Sequence, residues 1–186
     1  MVGKWKKLHL AFWTILVRAE LKLKHIKFGK RLIADGMPYI ANRGEIVIGN
    51  HTFLNSGSRH KVAIVSENAN AVITIGDNCN LRGCDVYAAE EVTIGNACII
   101  APEVHIWDND GHSPSIDQTK RHTLNSQIKP IRIGNNVWVC ARSIILKGVT
   151  IGDNSIIGAG SIVTKDVEPN SLYAGNPAKL VKRLTD

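Results

Sequence analysis

Aliphatic residues fall on a six-residue lattice late in the chain, at Ile133, Val139, Ile145, Ile151, Ile157 and Val163. A helix repeats its contacts at three and four residues and a half-buried strand at two, so a period of six marks a solenoid, with one short strand and one turn per unit. The positions two places earlier, Ile131, Val137, Ser143, Val149, Ser155 and Ser161, are small or apolar and suit a second stacked column. The lattice recurs in Ile75 and Leu81 and in Ile94, Ile100 and Ile106, with Ile48 and Leu54 as the first pair. Ile-Gly-Asp-Asn or Ile-Gly-Asn-Asn occupies 75–78, 133–136 and 151–154, which puts Gly and Asn where a tight turn calls for tolerance of positive φ. These features predict a mainly β fold, a solenoid over residues 35–170.

The N-terminal unit, residues 1–34, has a different rhythm. Trp5, Leu8, Phe12, Ile15, Ala19, Leu23 and Ile26 recur at three and four residues and predict an amphipathic helix over 4–27. Its apolar centre, Leu8 to Val17, is too short to span a bilayer, and Arg18 and Glu20 stand where a signal peptide would need small residues. Two roles stay open for it. It can cap the solenoid, whose stacked coils otherwise leave strand edges and apolar surface exposed at their ends, or lie through residues 1–28 on an anionic membrane surface. The tail, 171–186, predicts a short C-terminal helix, with Asn176 as cap, Pro177 in its first turn, and Lys179, Lys182 and Arg183 on neighbouring turns.

Charge sharpens this division. The chain of 186 residues carries a net +7, yet residues 1–31 hold nine Lys or Arg against Glu20 alone, so the excess belongs to the N-terminal arm. A nucleic-acid partner for the solenoid is therefore not expected. The length suits one domain without room for a second catalytic one, and the open coil ends predict oligomerisation. Four cysteines without a CxxC pair read as reduced thiols of a cytoplasmic protein, with Cys79 and Cys98 as small stacking residues and the role of Cys140 open.

Between Ile106 and Ile131 the lattice stops, and a polar, turn-rich loop over 107–130 intervenes. Excursions from a regular coil are where chemistry can sit. His112 lies in this loop behind Asp108, Asp110 and Gly111, and imidazole is the side chain best poised to take a proton near neutral pH. On its own a loop histidine is more often solvated. His105 precedes a lattice residue and should point outward, while His122 follows the basic pair Lys120-Arg121.

The lattice, the Asp-Gly-His-Ser loop, Ile133-Gly-Asn-Asn-Val-Trp138, Ile157-Gly-Ala-Gly-Ser-Ile-Val-Thr-Lys165 and Ala174-Gly-Asn-Pro-Ala-Lys179 together resemble the hexapeptide-repeat acyltransferases. The likeness covers about residues 35–183 and leans to the sugar and polysaccharide O-acetyltransferase branch, with the galactoside and maltose acetyltransferases. It implies a left-handed parallel β-helix, a homotrimer with active sites between subunits, acetyl-CoA as co-substrate, a saccharide acceptor and no metal. It also implies His112 as general base for direct attack of a sugar hydroxyl on the thioester. Either Asp108, Asp110 or a backbone carbonyl would orient the imidazole. The pantetheine arm would follow Trp138, Ala141 and Ala159, and Thr164, Lys165, Lys179, Lys182 and Arg183 would meet the coenzyme phosphates; Trp138 equally suits an aromatic covering a subunit contact.

One departure concerns the acceptor. Gly83 stands where the galactoside branch has an acceptor-contacting Asn. Asp85 and Tyr87, beside an apparent one-residue slip between Leu81 and Ile94, are the substitutes, unless the slip is simply a bulge that re-registers the coil. N-acetylation of a nucleotide-linked amino sugar is the alternative activity. A non-catalytic scaffold and a metal-dependent hydratase using His105, His112 and His122 stand behind it. If the N-terminal helix meets lipid, the protein is peripheral at the inner face of the membrane.

Overall fold

The computed structural model describes residues 2–57, 59–121 and 127–185. Helix α1 (Val2–Leu23) precedes a stack of short strands. The first four coils are β1 (Lys27–Phe28), β2 (Ile33–Asp35) and β3 (Tyr39–Asn42); β4 (Glu45–Ile48), β5 (Phe53–Asn55) and β6 (Ala63–Ser66); β7 (Val72–Ile75), β8 (Asn80–Arg82) and β9 (Asp85–Ala88); and β10 (Glu91–Ile94), β11 (Ile99–Ile100) and β12 (His105–Trp107). A loop containing the one-turn helix α2 (Gln118–Arg121) follows. Two more coils are β13 (Ile131–Ile133), β14 (Trp138–Val139) and β15 (Ile144–Ile145), then β16 (Thr150–Ile151), β17 (Ile156–Ile157) and β18 (Ile162–Val163). The chain closes with β19 (Ser171–Gly175) and β20 (Ala178–Arg183).

Every third strand joins the same sheet, so three parallel sheets form the walls of a left-handed β-helix. In the first sheet Ile48, Ile75, Ile94, Ile133 and Ile151 stand in register, each pointing inward. Leu54, Leu81, Ile100, Val139 and Ile157 do the same in the second, and Ile64, Val86, Ile106, Ile145 and Val163 in the third. The lattice is thus the sequence image of a core made of stacked identical or near-identical side chains. The second column also takes part. Thr52, Cys79 and Cys98 donate to the carbonyls of Gly76, Gly95 and Gly134 one coil on, at 3.1, 3.0 and 3.1 Å.

The corner between the first and second sheets carries a ladder of carboxamides and carboxylates. Asn50 Oδ1 accepts the Lys30 amide at 2.9 Å, Asp77 the Asn50 amide at 2.6 Å, Asn96 the Asp77 amide at 2.8 Å, Asn135 the Asn96 amide at 2.9 Å and Asp153 the Asn135 amide at 2.7 Å. Each turn is held by the side chain of the next coil. Those hydrogen bonds keep the Asp77 carboxyl below the usual carboxylate range.

Three expectations are corrected. Helix α1 ends at Leu23 rather than at 27, because His25 takes φ 54° and the amides of His25 and Ile26 bond back to the carbonyls of Lys22 and Leu21 at 3.1 and 2.9 Å, a Schellman end. The β-helix starts at Lys27, one coil before the Ile48 and Leu54 pair and ahead of residue 35. Its first lattice positions, Phe28, Ala34 and Ile40, are too mixed in size to stand out. The tail forms no helix: β19 extends the second sheet by pairing with β17, and β20 turns back antiparallel over it. The unpaired edge of the last full coil offers hydrogen bonds that an isolated helix would leave unused.

Candidate active site

The excursion leaves the third sheet after Trp107 and returns to the first at Ile131. It is fastened at its root by Asp108, which is fully buried. One carboxylate oxygen accepts the Ala89 amide at 2.8 Å and the other those of Glu90 and Glu91 at 2.7 and 2.9 Å. The Lys129 amide donates to the Asp108 carbonyl at 2.9 Å, so the two ends of the loop are tied to each other. Asp108 therefore does not orient His112, as the sequence allowed. A buried carboxylate needs several donors, and the preceding coil supplies them.

Beyond this anchor the chain turns sharply. The Gly111 amide donates to Asn109 Oδ1 at 2.8 Å, and Gly111 adopts φ 70°. Asp110 pairs with Lys147 of the fifth coil. His112 is exposed, and its Nδ1 lies 3.3 Å from the carbonyl of Arg121 at the end of α2. A carbonyl can only accept, so this contact calls for a proton on Nδ1. The Arg121 carbonyl is thus one backbone group placed to orient the ring. Asp117, whose carboxyl is held low by hydrogen bonds from Thr119, starts α2, and Arg121 Nε donates to Ser115 O at 2.7 Å. His122 lies outside the described residues.

Next to the loop is a cavity of about 290 Å³ lined by Glu67, Tyr87, Trp107, Asn109, Asp110 and Gly111. Tyr87 and Trp107 meet edge to face at 5.7 Å. Burial, then the Asp108 carboxylate, pushes the Glu67 carboxyl up. Asp85 is occupied differently, with His105 Nδ1 2.8 Å from its Oδ2. The corner before these residues is one residue short, with buried Leu81 and Val86 five apart and Gly83 at φ 48°. The slip is real, and it leaves Asp85 and Tyr87 on the outer face of the third sheet. Among the described residues, no three His, Cys, Asp or Glu gather to hold a metal ion.

The coenzyme candidates do not share one groove on one chain. Trp138 stands on the second sheet, in a cleft of about 680 Å³ with Ile99, Asn136, Asn154, Ile156, Asn170 and Leu184. Its row continues in register through Ile156 and Leu172 to Lys182 on β20, where Lys179 and Arg183 also lie, Arg183 paired with Glu168. Ala141 and Ala159 occupy the next corner, joined by the Gly160 amide donating to Ala141 O at 2.9 Å. Thr164 and Lys165 are exposed at the far corner, after β18. Sequence reasoning passed over Lys147 and Trp107. The tryptophan opening the excursion was a usable signal; nothing local could link Lys147 to a residue 37 positions away.

Comparison with known proteins agrees with this architecture. Residues 130–165 match the bacterial transferase hexapeptide (six repeats) family. Galactoside O-acetyltransferase of Escherichia coli is 46% identical over 109 residues, covering 59% of this chain and 51% of that protein. The chain spans about half the length of the curated relatives it matches. A hexapeptide-repeat acetyltransferase from Vibrio cholerae, solved with acetyl coenzyme A, superposes with a TM-score of 0.59 at 29% identity, covering 91% of this chain and 77% of that one. A galactoside acetyltransferase solved with coenzyme A gives 0.58 at 34% identity, covering 86% and 66%.

Proposed function

We propose, from the premise that this chain is a hexapeptide-repeat left-handed β-helix of the acetyltransferase kind, that it moves the acetyl group of acetyl-CoA to a hydroxyl of a surface polysaccharide, a glycolipid or its precursor. The observation that carries this reading is His112, an exposed imidazole whose Nδ1 lies 3.3 Å from Arg121 O on a loop pinned by Asp108. The acceptor oxygen attacks the thioester carbonyl carbon while Nε2 takes the hydroxyl proton. The carbon–sulfur bond then breaks, and the thiolate leaves with the proton returned by the imidazolium. Coenzyme A is a good leaving group, so a covalent enzyme intermediate is unnecessary and Cys140 takes no part. The Tyr87–Trp107 pair beside the cavity supplies an aromatic wall of the kind sugar rings pack against, with Asp85 next to it.

In this reading the working unit is a homotrimer with a site between neighbouring subunits. Two features support it. Ile33, Ile99 and Trp138 lie half exposed on the outer face of the second sheet. The coenzyme candidates Trp138, Ala141, Ala159, Thr164, Lys165, Lys179, Lys182 and Arg183 are spread over the second sheet, β20 and two corners, where a neighbouring copy would complete the groove. The donor places the reaction in the cytoplasm.

The test is mass spectrometry of acetyl transfer from acetyl-CoA to neutral sugars, polysaccharide fragments and nucleotide-linked amino sugars, with wild type beside His112→Ala. The expected outcome is an acetate ester, with the variant slower by about 10²–10⁴ while acetyl-CoA binding is kept. Wild-type turnover by the variant removes the base assignment, and an amide product moves the protein to amino-sugar N-acetylation.

A further inference from the structure

Helix α1 has two apolar faces, and the solenoid uses only one. On the underside Val17 and Leu21 are fully buried against the first coil. Thr14 Oγ1 accepts the Ala34 amide at 3.0 Å, Lys24 Nζ donates to Ile40 O at 2.5 Å and His9 Nε2 lies 3.0 Å from Asp35. These contacts close the open edges of β2 and β3, so the capping role is fulfilled. On the opposite side Trp5, Leu8, Phe12, Ile15 and Leu23 are 77, 57, 56, 68 and 80% exposed. With Leu16 and Ala19 they recur every three or four residues over about 27 Å of helix, which makes one continuous stripe.

A cap needs one apolar face, and the second has a cost in water unless something covers it. The strand edges that α1 closes point along the solenoid axis. The exposed stripe therefore looks outward along that axis, away from every coil and from any copy standing alongside. Its charge selects the occupant. Lys4, Lys7, Arg18 and Lys22 lie along one margin of the stripe on the helical projection, with Lys6 on the other side. The helix has one acid, Glu20, already paired with Lys24 at 2.5 Å. Two such helices laid antiparallel, face to face, would bring cations against cations, whereas an anionic lipid surface meets both the apolar stripe and its basic margin. Neither α1 nor any other described helix is long and apolar enough to cross a membrane.

We infer that α1 is a double-sided element, cap below and in-plane membrane anchor above, which seats Trp5, Leu8, Phe12, Ile15 and Leu23 among the acyl chains of an anionic lipid surface and holds the solenoid axis upright on it. The inference does not depend on the acyl-transfer reading.

The 186-residue protein is sedimented with phosphatidylcholine vesicles, with and without about one third phosphatidylglycerol, alongside a Leu8→Glu/Phe12→Glu variant. The variant leaves the underside untouched, and its circular dichroism and mass by light scattering are compared with wild type. The expected result is wild-type binding at least about tenfold stronger to the anionic vesicles, weakening with added salt, and about tenfold or more lost in the variant. Quenching of wild-type but not Trp5→Phe fluorescence by brominated lipid would place the stripe at acyl-chain depth. Absence of wild-type binding overturns the inference, as does equal binding by the variant. So does a drop in the variant's mass without any vesicle binding by wild type, which would assign the stripe to a second copy of the chain.

Discussion

At the corner of the fifth coil the left-handed φ belongs to Asn136, at 53°, and not to Gly134. The glycine is there because a Cβ would sit 2.2 Å from Asp153 Oδ1 and 2.9 Å from its backbone nitrogen, on the rung that binds the two coils. The Gly-Asn pairing is legible in the sequence as a turn. The division of labour is not, since the obstacle to a side chain comes from the next coil. Gly134→Ala should destabilise by about 1–3 kcal/mol, read from urea unfolding. The cysteines follow the same logic of burial. The Cys84 thiol is pushed up to about 12 by desolvation, and burial also raises Cys140, which alone of the four is partly exposed. A raised thiol carries less thiolate at a given pH, so alkylation of native protein near pH 8 should modify Cys140 slowly and spare the other three, with all four reacting after denaturation. Rapid native modification of Cys84 would contradict the packing described.

Elements were readable where their period was regular and hidden where a partner far along the chain decided the outcome. The lattice from Ile75 onward gave strands at the right places because each coil satisfies its own rule. The first coil, with Phe28, Ala34 and Ile40, follows the rule only once the second is stacked on it. The tail fits two periods at once, and the free edge of β17 resolves the choice in favour of a hairpin. Asp108 sits in a polar run that reads as solvated and becomes a buried pin only when Ala89, Glu90 and Glu91 are brought beneath it. Asp108→Asn replaces one acceptor by a donor facing amides. It should cost about 1–3 kcal/mol and lower transfer by loosening the His112 loop, measured by unfolding and by kcat together. Thr14→Val keeps the shape of the cap but strands the Ala34 amide; a loss of about 1–3 kcal/mol is expected, with α1 still helical by circular dichroism.

At the scale of the molecule, one solenoid presents three walls and two ends to its surroundings. In the proposed trimer the second wall meets a neighbour. Ile99→Asp should then shift the mass by light scattering from three copies of the 20.3 kDa chain towards one and reduce activity in parallel. An unchanged mass would move the contact elsewhere. His112 stood out in the sequence as the candidate base of the loop, but its setting was not legible, because the Arg121 carbonyl, Lys147 and the Tyr87–Trp107 wall are brought to the loop only by the winding of the chain. The Asn and Asp ladder shows what that winding permits. Successive rungs are separated by as few as 18 residues and as many as 39, yet their hydrogen bonds stay between 2.6 and 2.9 Å. The spine fixes where coils meet and is indifferent to how much chain travels between meetings. A lineage with this spine can lengthen, shorten or exchange the excursion proposed to face its acceptor without renegotiating the fold, so novelty in that loop is cheap to evolve and safe to inherit.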